Sequence, residues 1–204
     1  MTVRVVTEPS VEPITLAEAK THLVIDADFT TDDSYITALI TVARQYAENV
    51  TRRAYVQRTL ELFAPNFSCY EFVLPKPPLR SVTSIKYIDA DGVLQTVAES
   101  VYQVNTYSEP GRVKPAHLQS WPAVVRNDFN AVQIRYIAGY PVAGSPDSDF
   151  DYRANIPEQL KQWMKVRIAM LYEMRVPVVV GAAVNELKRD YVDGLLDALM
   201  VDTF

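Results

Sequence analysis

The spacing of apolar residues changes period twice along this chain of 204 residues, and that double switch constrains its fold more than any single motif. Ile36, Leu39, Ile40, Ala43, Ala47 and Val50 recur at three- and four-residue steps, which predicts one buried stripe on a helix from about Asp32 to Arg52. From Tyr55 to Tyr140 the period falls to two, with β-branched and aromatic residues in short runs broken by Pro, Gly, Asn and Asp. About five to seven strands fit there. The candidates are Val56 to Phe63, Tyr70 to Leu74, Val82 to Ile88, Val93 to Val97, Val101 to Asn105 and Ala131 to Ile137. No run between neighbouring strands is long enough for a helical crossover, so the pairings should be mostly antiparallel. Pro157 suits a first helical position, and after it Leu160, Met164, Arg167, Ile168 and Leu171 return to helical spacing as far as Arg175. Pro177 stops that helix, Val178 to Gly181 form an apolar joint, and Val184, Leu187, Tyr191, Leu195 and Leu199 make a last stripe.

The expectation is an α+β chain: a helical body from N- and C-terminal helices with an inserted antiparallel β-rich region. Its parts are residues 1–54 (helical), 55–140 (β-rich), 141–156 (an acidic loop) and 157–204 (helical), together one composite domain. Local signals support the plan. Thr15 and Glu18 have the spacing of a capping box, which starts a short helix running to about Leu23. Asp26, Asp28, Asp32 and Asp33 then lead to the second helix, where carboxylates suit the positive end of the dipole. Leu74 to Leu79 holds three prolines and reads as a turn or sheet edge. Glu158 to Arg175 carries a net +2 and Glu186 to Asp202 a net -3, so the last two segments are electrostatically complementary.

Composition removes several function classes. With 20 Lys+Arg against 25 Asp+Glu the formal charge is -5, which gives no general attraction to a phosphate backbone. One cysteine, Cys69, cannot make an intramolecular disulfide, and with two histidines it offers few soft ligands for zinc or iron; the folding compartment reads as reducing. Residues 1–10 contain no apolar run of signal-peptide length, and no stretch approaches a membrane span, so neither export by that route nor a membrane is expected.

Candidate chemistry is sparse. His22 and His117 are the available histidine bases, and neither sits in a nucleophile motif; each reads more simply as a surface or capping residue. Asp147, Asp149, Asp151 and Glu158 match the first, third, fifth and twelfth positions of a calcium loop, but Tyr152 stands where the turn needs glycine, so a solvated acidic loop is expected. Asp89-Ala90-Asp91-Gly92 reads as a hairpin turn. Six glycines include no phosphate-cradling loop. No catalytic, cofactor or metal residue is therefore assigned. Twelve tyrosines, rigid and amphipathic, suit protein interfaces.

A series of landmarks runs along the chain, beginning with Pro13-Ile14-Thr15-Leu16-Ala17-Glu18-Ala19-Lys20 and His22-Leu23. Ala43-Arg44, Ala47-Glu48, Thr51-Arg52-Arg53-Ala54, Thr59, Leu74-Pro75, Pro78-Leu79 and Ser84-Ile85 follow. Trp121-Pro122, Ala131 to Tyr136, Gly139-Tyr140 and Ile156-Pro157 leading to Tyr172 and Arg175 complete the series. In this order they resemble the tailed-bacteriophage head-tail connector family, also called head-completion or adaptor proteins. Arg52 departs from it, standing where relatives often have glycine, and the C-terminus after Leu195-Leu196 lacks their Tyr-Arg ending.

The resemblance implies a non-enzymatic, cofactor-free virion protein that assembles in the host cytoplasm. It implies a dodecameric ring in the virion neck, with the portal protein on one side and a stopper or tail-completion protein on the other. Double-stranded DNA would pass through it unread, along a mildly negative wall. Ring contacts are then expected from Tyr35, Arg44, Tyr46, Lys161, Lys165 and Arg175. Portal docking is expected from Val184, Leu187, Tyr191, Leu195, Leu196 and Leu199, swung by the Pro177 to Gly181 joint; the competing reading is that this stripe completes the core. Against the adaptor stands a β-rich module that grips a protein or glycan, and more distantly a hydrolase.

Overall fold

The computed structural model describes residues 1–67, 70–122, 129–140, 152–174 and 189–201, with only the backbone of 152 and 189–192. The chain divides into two compact units, residues 1–10 with 56–140 and residues 11–55 with 141–204. Strands and helices segregate between them, so the α+β class is as the sequence predicts.

Among the described residues the first unit holds eight strands: β1 (Thr2–Thr7), β2 (Arg58–Ala64), β3 (Phe72–Leu74), β4 (Leu79–Ile88), β5 (Leu94–Thr96), β6 (Tyr102–Asn105), β7 (Gly111–Pro115) and β8 (Val132–Ala138). Five form a sheet in the order β1-β2-β8-β4-β5 and three form a second sheet in the order β3-β7-β6, with every pairing antiparallel. Alternation sets the faces. In β2 and β8, Leu60, Leu62, Val132, Ile134 and Tyr136 point inward and are fully buried, whereas Thr59, Phe63, Gln133, Arg135 and Ile137 alternate with them on the outer face. The two sheets touch closely: a Cβ on Gly111 of β7 would lie 2.4 Å from the Leu79 side chain, so only glycine fits there. Residues 75–78 carry the chain from the second sheet to the first, the turn expected from their prolines. Asp89 makes the β4–β5 hairpin turn, its Oδ1 accepting from the Asp91 and Val93 N–H groups at 3.0 and 2.9 Å.

Two strands escape the sequence reading. The first, β1, lies in the stretch assigned to the N-terminal helical part, yet five of its six residues are β-branched and it pairs with β2 from Thr2↔Phe63 to Thr7↔Thr59. The short β7 ends on a proline and begins on a glycine, which hides it from a propensity reading.

Among the described residues the second unit holds four α-helices: α1 (Leu16–His22), α2 (Asp33–Thr51), α3 (Glu158–Glu173) and α4 (Arg189–Asp197). The capping box at α1 is present in full: the Thr15 hydroxyl accepts from the Glu18 N–H at 3.1 Å, and the Glu18 carboxylate accepts from the Thr15 N–H at 2.6 Å. That carboxyl titrates below the usual range: burial works against this, and the Thr15 hydrogen bonds with the charges of Lys165 and Arg153 outweigh it. The expected stripe of α2 is buried at Ile36, Leu39, Ile40, Ala43 and Ala47, while Val50 is half-buried. Arg52, the departure from the family's glycine, caps α2 in the left-handed conformation (φ 58°, ψ 25°), which is the backbone that glycine adopts freely. Pro157 proves to be the N-cap of α3 rather than its first residue, because its ψ of 131° is extended.

Candidate interaction surfaces

Of the expected ring-contact residues, Tyr35 and Tyr46 of α2 reach α3, Arg44 reaches Glu12 outside the helices, and Lys161 pairs within α3. The Arg44 guanidinium is buried between Glu12, at 2.7 Å, and Glu48, at 3.0 Å. Burial disfavours its charge, and the two carboxylates more than offset that. Tyr46 stacks on the buried Trp163, centroids 5.6 Å apart, with the Arg167 guanidinium over its ring at 5.3 Å. Tyr35 donates to the Leu171 carbonyl at 3.2 Å and packs on Tyr172. Lys161 is buried and pairs with Glu158 at 2.6 Å. Lys165 lines an open cleft of about 550 Å³ with Ala17, Glu18, Thr21, His22 and Gln162. Arg175 lies outside the described residues.

Among the portal-docking candidates, Val184 and Leu187 lie outside the described residues, as does the side chain of Tyr191 in α4. Leu195 is half-buried, and Leu196 and Leu199 are buried. The helix is held by Trp163 Nε1 donating to Asp193 at 3.2 Å, by Arg53 Nε donating to the Leu199 carbonyl at 2.6 Å and by the Val201 N–H donating to the Thr51 carbonyl at 3.1 Å.

Two surfaces that the sequence reading did not single out emerge instead. The first is the loop between α1 and α2. Lys20, buried at the end of α1, sends its ammonium to the carbonyls of Ala27 and Phe29, at 3.1 and 2.8 Å, and to Asp33 at 2.6 Å. So anchored, the loop exposes Val24 (92%) and Phe29 (45%) beside Asp26 and Asp28, and Val24 adopts φ 57°. Its signal in the sequence was apolar residues interleaved with the acidic ones.

The second surface is the outer face of the five-stranded sheet. Glu61 of β2, buried, accepts from Arg4 of β1 at 2.9 Å and from Arg135 of β8 at 3.0 Å, while the side chains of those arginines remain 65% and 42% exposed. Register puts Phe63 and Gln133 in the next row with Lys86 of β4, and the Arg4 guanidinium sits 5.3 Å from the Phe63 ring centroid. Strand alternation could have found this ladder only with β1 assigned and the register known.

No group of three His, Cys, Asp or Glu side chains among the described residues could hold a metal ion, and no described helix is long and apolar enough to cross a membrane. Cys69 and the acidic residues Asp147, Asp149 and Asp151 lie outside the described residues.

Comparison with known proteins follows the same lines. Residues 13–88 match the family of phage gp6-like head-tail connector proteins. No curated protein matches the chain by sequence. Solved structures do match along its full length. A chain from the neck of an empty gene transfer agent particle, computed with C6 symmetry, superposes with a TM-score of 0.78 at 21% identity, covering 100% of this chain and 97% of that one. A chain from the virion of the native gene transfer agent gives 0.77 at 21% identity, and one from the native neck computed with C12 symmetry gives 0.71 at 22%, both with the same coverage. At such identities the likeness shows the fold, and the family match, which covers residues 13–88, shows what that stretch of the chain is similar to.

Proposed function

We propose that the chain is a structural subunit of a virion neck, an adaptor that joins head to tail by forming a ring and carries out no chemical step. One observation carries this: the connector-family match over residues 13–88 lies inside a fold shared, at a TM-score of 0.78 over the whole chain, with a neck structure. The necks of those particles were computed with C6 and C12 symmetry, which supports a dodecamer for this chain. The portal protein sits on one side of the ring and a stopper or tail-completion protein on the other. The C-terminal stripe from Val184 to Leu199 remains the proposed portal-docking segment, and the helices α2 and α3 the packed body of each subunit.

Double-stranded DNA passes through such a ring, and the net charge of -5 supports passage without retention, because a wall that attracts phosphates slows a moving duplex. The test is deletion of residues 182–204: the truncated chain keeps its sheet-unit fluorescence from Trp121 and loses portal binding. Normal portal binding by the truncated chain would remove the C-terminal segment from the proposal.

A further inference from the structure

Val24 is a β-branched residue in a left-handed backbone conformation, where such side chains are strained, and it is almost fully exposed. Neither property stabilises the isolated chain. Nor is the loop loose: Lys20 clamps it at Ala27, Phe29 and Asp33, and backbone hydrogen bonds run from Ile25 to the Lys20 carbonyl (3.0 Å) and from Phe29 to the Asp26 carbonyl (3.1 Å). The fold thus holds Val24 and Phe29 out to solvent on a fixed platform, flanked by the exposed carboxylates of Asp26 and Asp28.

A surface complementary in sign and polarity exists on the same chain. On the outer face of the five-stranded sheet Arg4 and Arg135 share the carboxylate of Glu61, and Lys86 stands in the row of Phe63, so among the described residues three cations meet one anion there. Phe63 and Ile137 lie half-exposed among them. The loop is an apolar knob with a negative rim; the sheet face is an apolar patch with a positive rim.

We propose that the 23–31 loop of one copy docks on the outer sheet face of the next copy, Val24 and Phe29 against Phe63 and Ile137, with Asp26 and Asp28 facing Arg4, Arg135 and Lys86. Two different surfaces of one chain that fit each other make a heterologous contact, which closes into a ring when the rotation per subunit closes. The inference rests on the ring reading above and adds which surfaces meet. One loop on one sheet is a small contact, so it operates through ring closure or on a portal template, where neighbours are already held at high effective concentration.

The test compares assembly, by sedimentation velocity with and without portal particles, for four chains. Asp26→Lys/Asp28→Lys and Arg4→Glu/Lys86→Glu each raise the concentration of half-assembly at least tenfold, and the chain carrying all four changes recovers to within about threefold of the parent. Val24→Gly relieves the backbone and removes the knob, so its melting temperature is unchanged or higher while assembly weakens; a lower melting temperature with unchanged assembly would make Val24 a purely structural residue and overturn the proposal. Oxidising a Val24→Cys/Ile137→Cys chain in a Cys69→Ser background gives a ladder of linked copies. Rings that form without a ladder, and without response to the charge changes, overturn the docking while leaving the ring reading intact. Absence of any ring, with or without portal, overturns both.

Discussion

The two units of this chain solve the problem of cohesion differently. The sheet unit, with 9 basic and 8 acidic residues, stands at +1, and it buries an almost wholly apolar interface: Leu60, Leu62, Phe72, Leu74, Ile85, Val113 and Ile134 are all nearly inaccessible. Its one buried charge among the described residues, Glu61, lies under exposed arginines. The helical unit, with 11 basic and 17 acidic residues, stands at -6 and buries Lys20, Arg44, Glu48 and Lys161. Those charges pair close by in sequence, Lys20 with Asp33, Arg44 with Glu12 and Glu48, and Lys161 with Glu158; segments more than a hundred residues apart are joined by the Tyr46–Trp163 stack and by the Tyr35 hydroxyl to Leu171 and Tyr172 hydroxyl to Asp32 hydrogen bonds. Strands find partners through a continuous ladder of backbone bonds; helices have none between them, so polar side chains at fixed positions must specify how they meet.

Each unit contains one of the two tryptophans, which makes the comparison measurable. The largest effect is expected from Trp163→Ala, which removes a fully buried ring, its stack on Tyr46 and its bond to Asp193; it costs about 3–5 kcal/mol. In urea, the helical signal at 222 nm should melt earlier than in the parent while the fluorescence of Trp121 keeps its midpoint. A common shift of both signals would show that the units unfold as one.

The same ion-pair chemistry placed in the two units should then differ in worth. Arg44→Ala takes the cation from the buried Glu48 carboxylate, which keeps the Tyr55 N–H, and costs about 3 kcal/mol. Arg4→Ala removes a mostly exposed partner from a carboxylate that keeps Arg135, and costs under about 1 kcal/mol. Equal losses in chemical denaturation would break the comparison.

Smaller effects sharpen it within the helical unit. Thr15→Ala opens the capping box at a cost of about 1 kcal/mol. Because the Glu18 carboxyl titrates below its ordinary 4.5 in the folded chain, its contribution is complete above that value and is lost as the pH falls below it. Glu18→Gln should therefore flatten the acid limb of the stability curve, measured by thermal melts from neutral pH downward, and leave the alkaline limb alone. Last, Arg52→Gly relieves the left-handed cap of α2 and should gain about 0.5 kcal/mol, less than the conformational strain alone, because glycine also frees the unfolded chain.

The capping box, the stripe of α2 and the Asp89 turn were legible in the sequence because each is set by residues within a few positions of one another. The segment β1 has the composition of a strand, five β-branched residues in six, but its partner β2 lies more than fifty residues along the chain, so no local hairpin signal marks it. Other features are not local. Nothing near Arg44 in the sequence says that Glu12 will reach it, and charged residues at helical spacing read as a solvated face until the partner helix is known. The docking loop illustrates the same limit: the aspartates were visible, but the left-handed Val24 and the buried ammonium that clamps it exist only in three dimensions.

The central claim, a ring-forming neck subunit, is tested most directly by the mass of the purified protein in solution, measured by light scattering alone and with cognate portal particles. The account predicts a closed oligomer, or binding to the portal at a fixed multiple equal to the ring number. A monomer that stays monomeric and leaves the portal bare would contradict it.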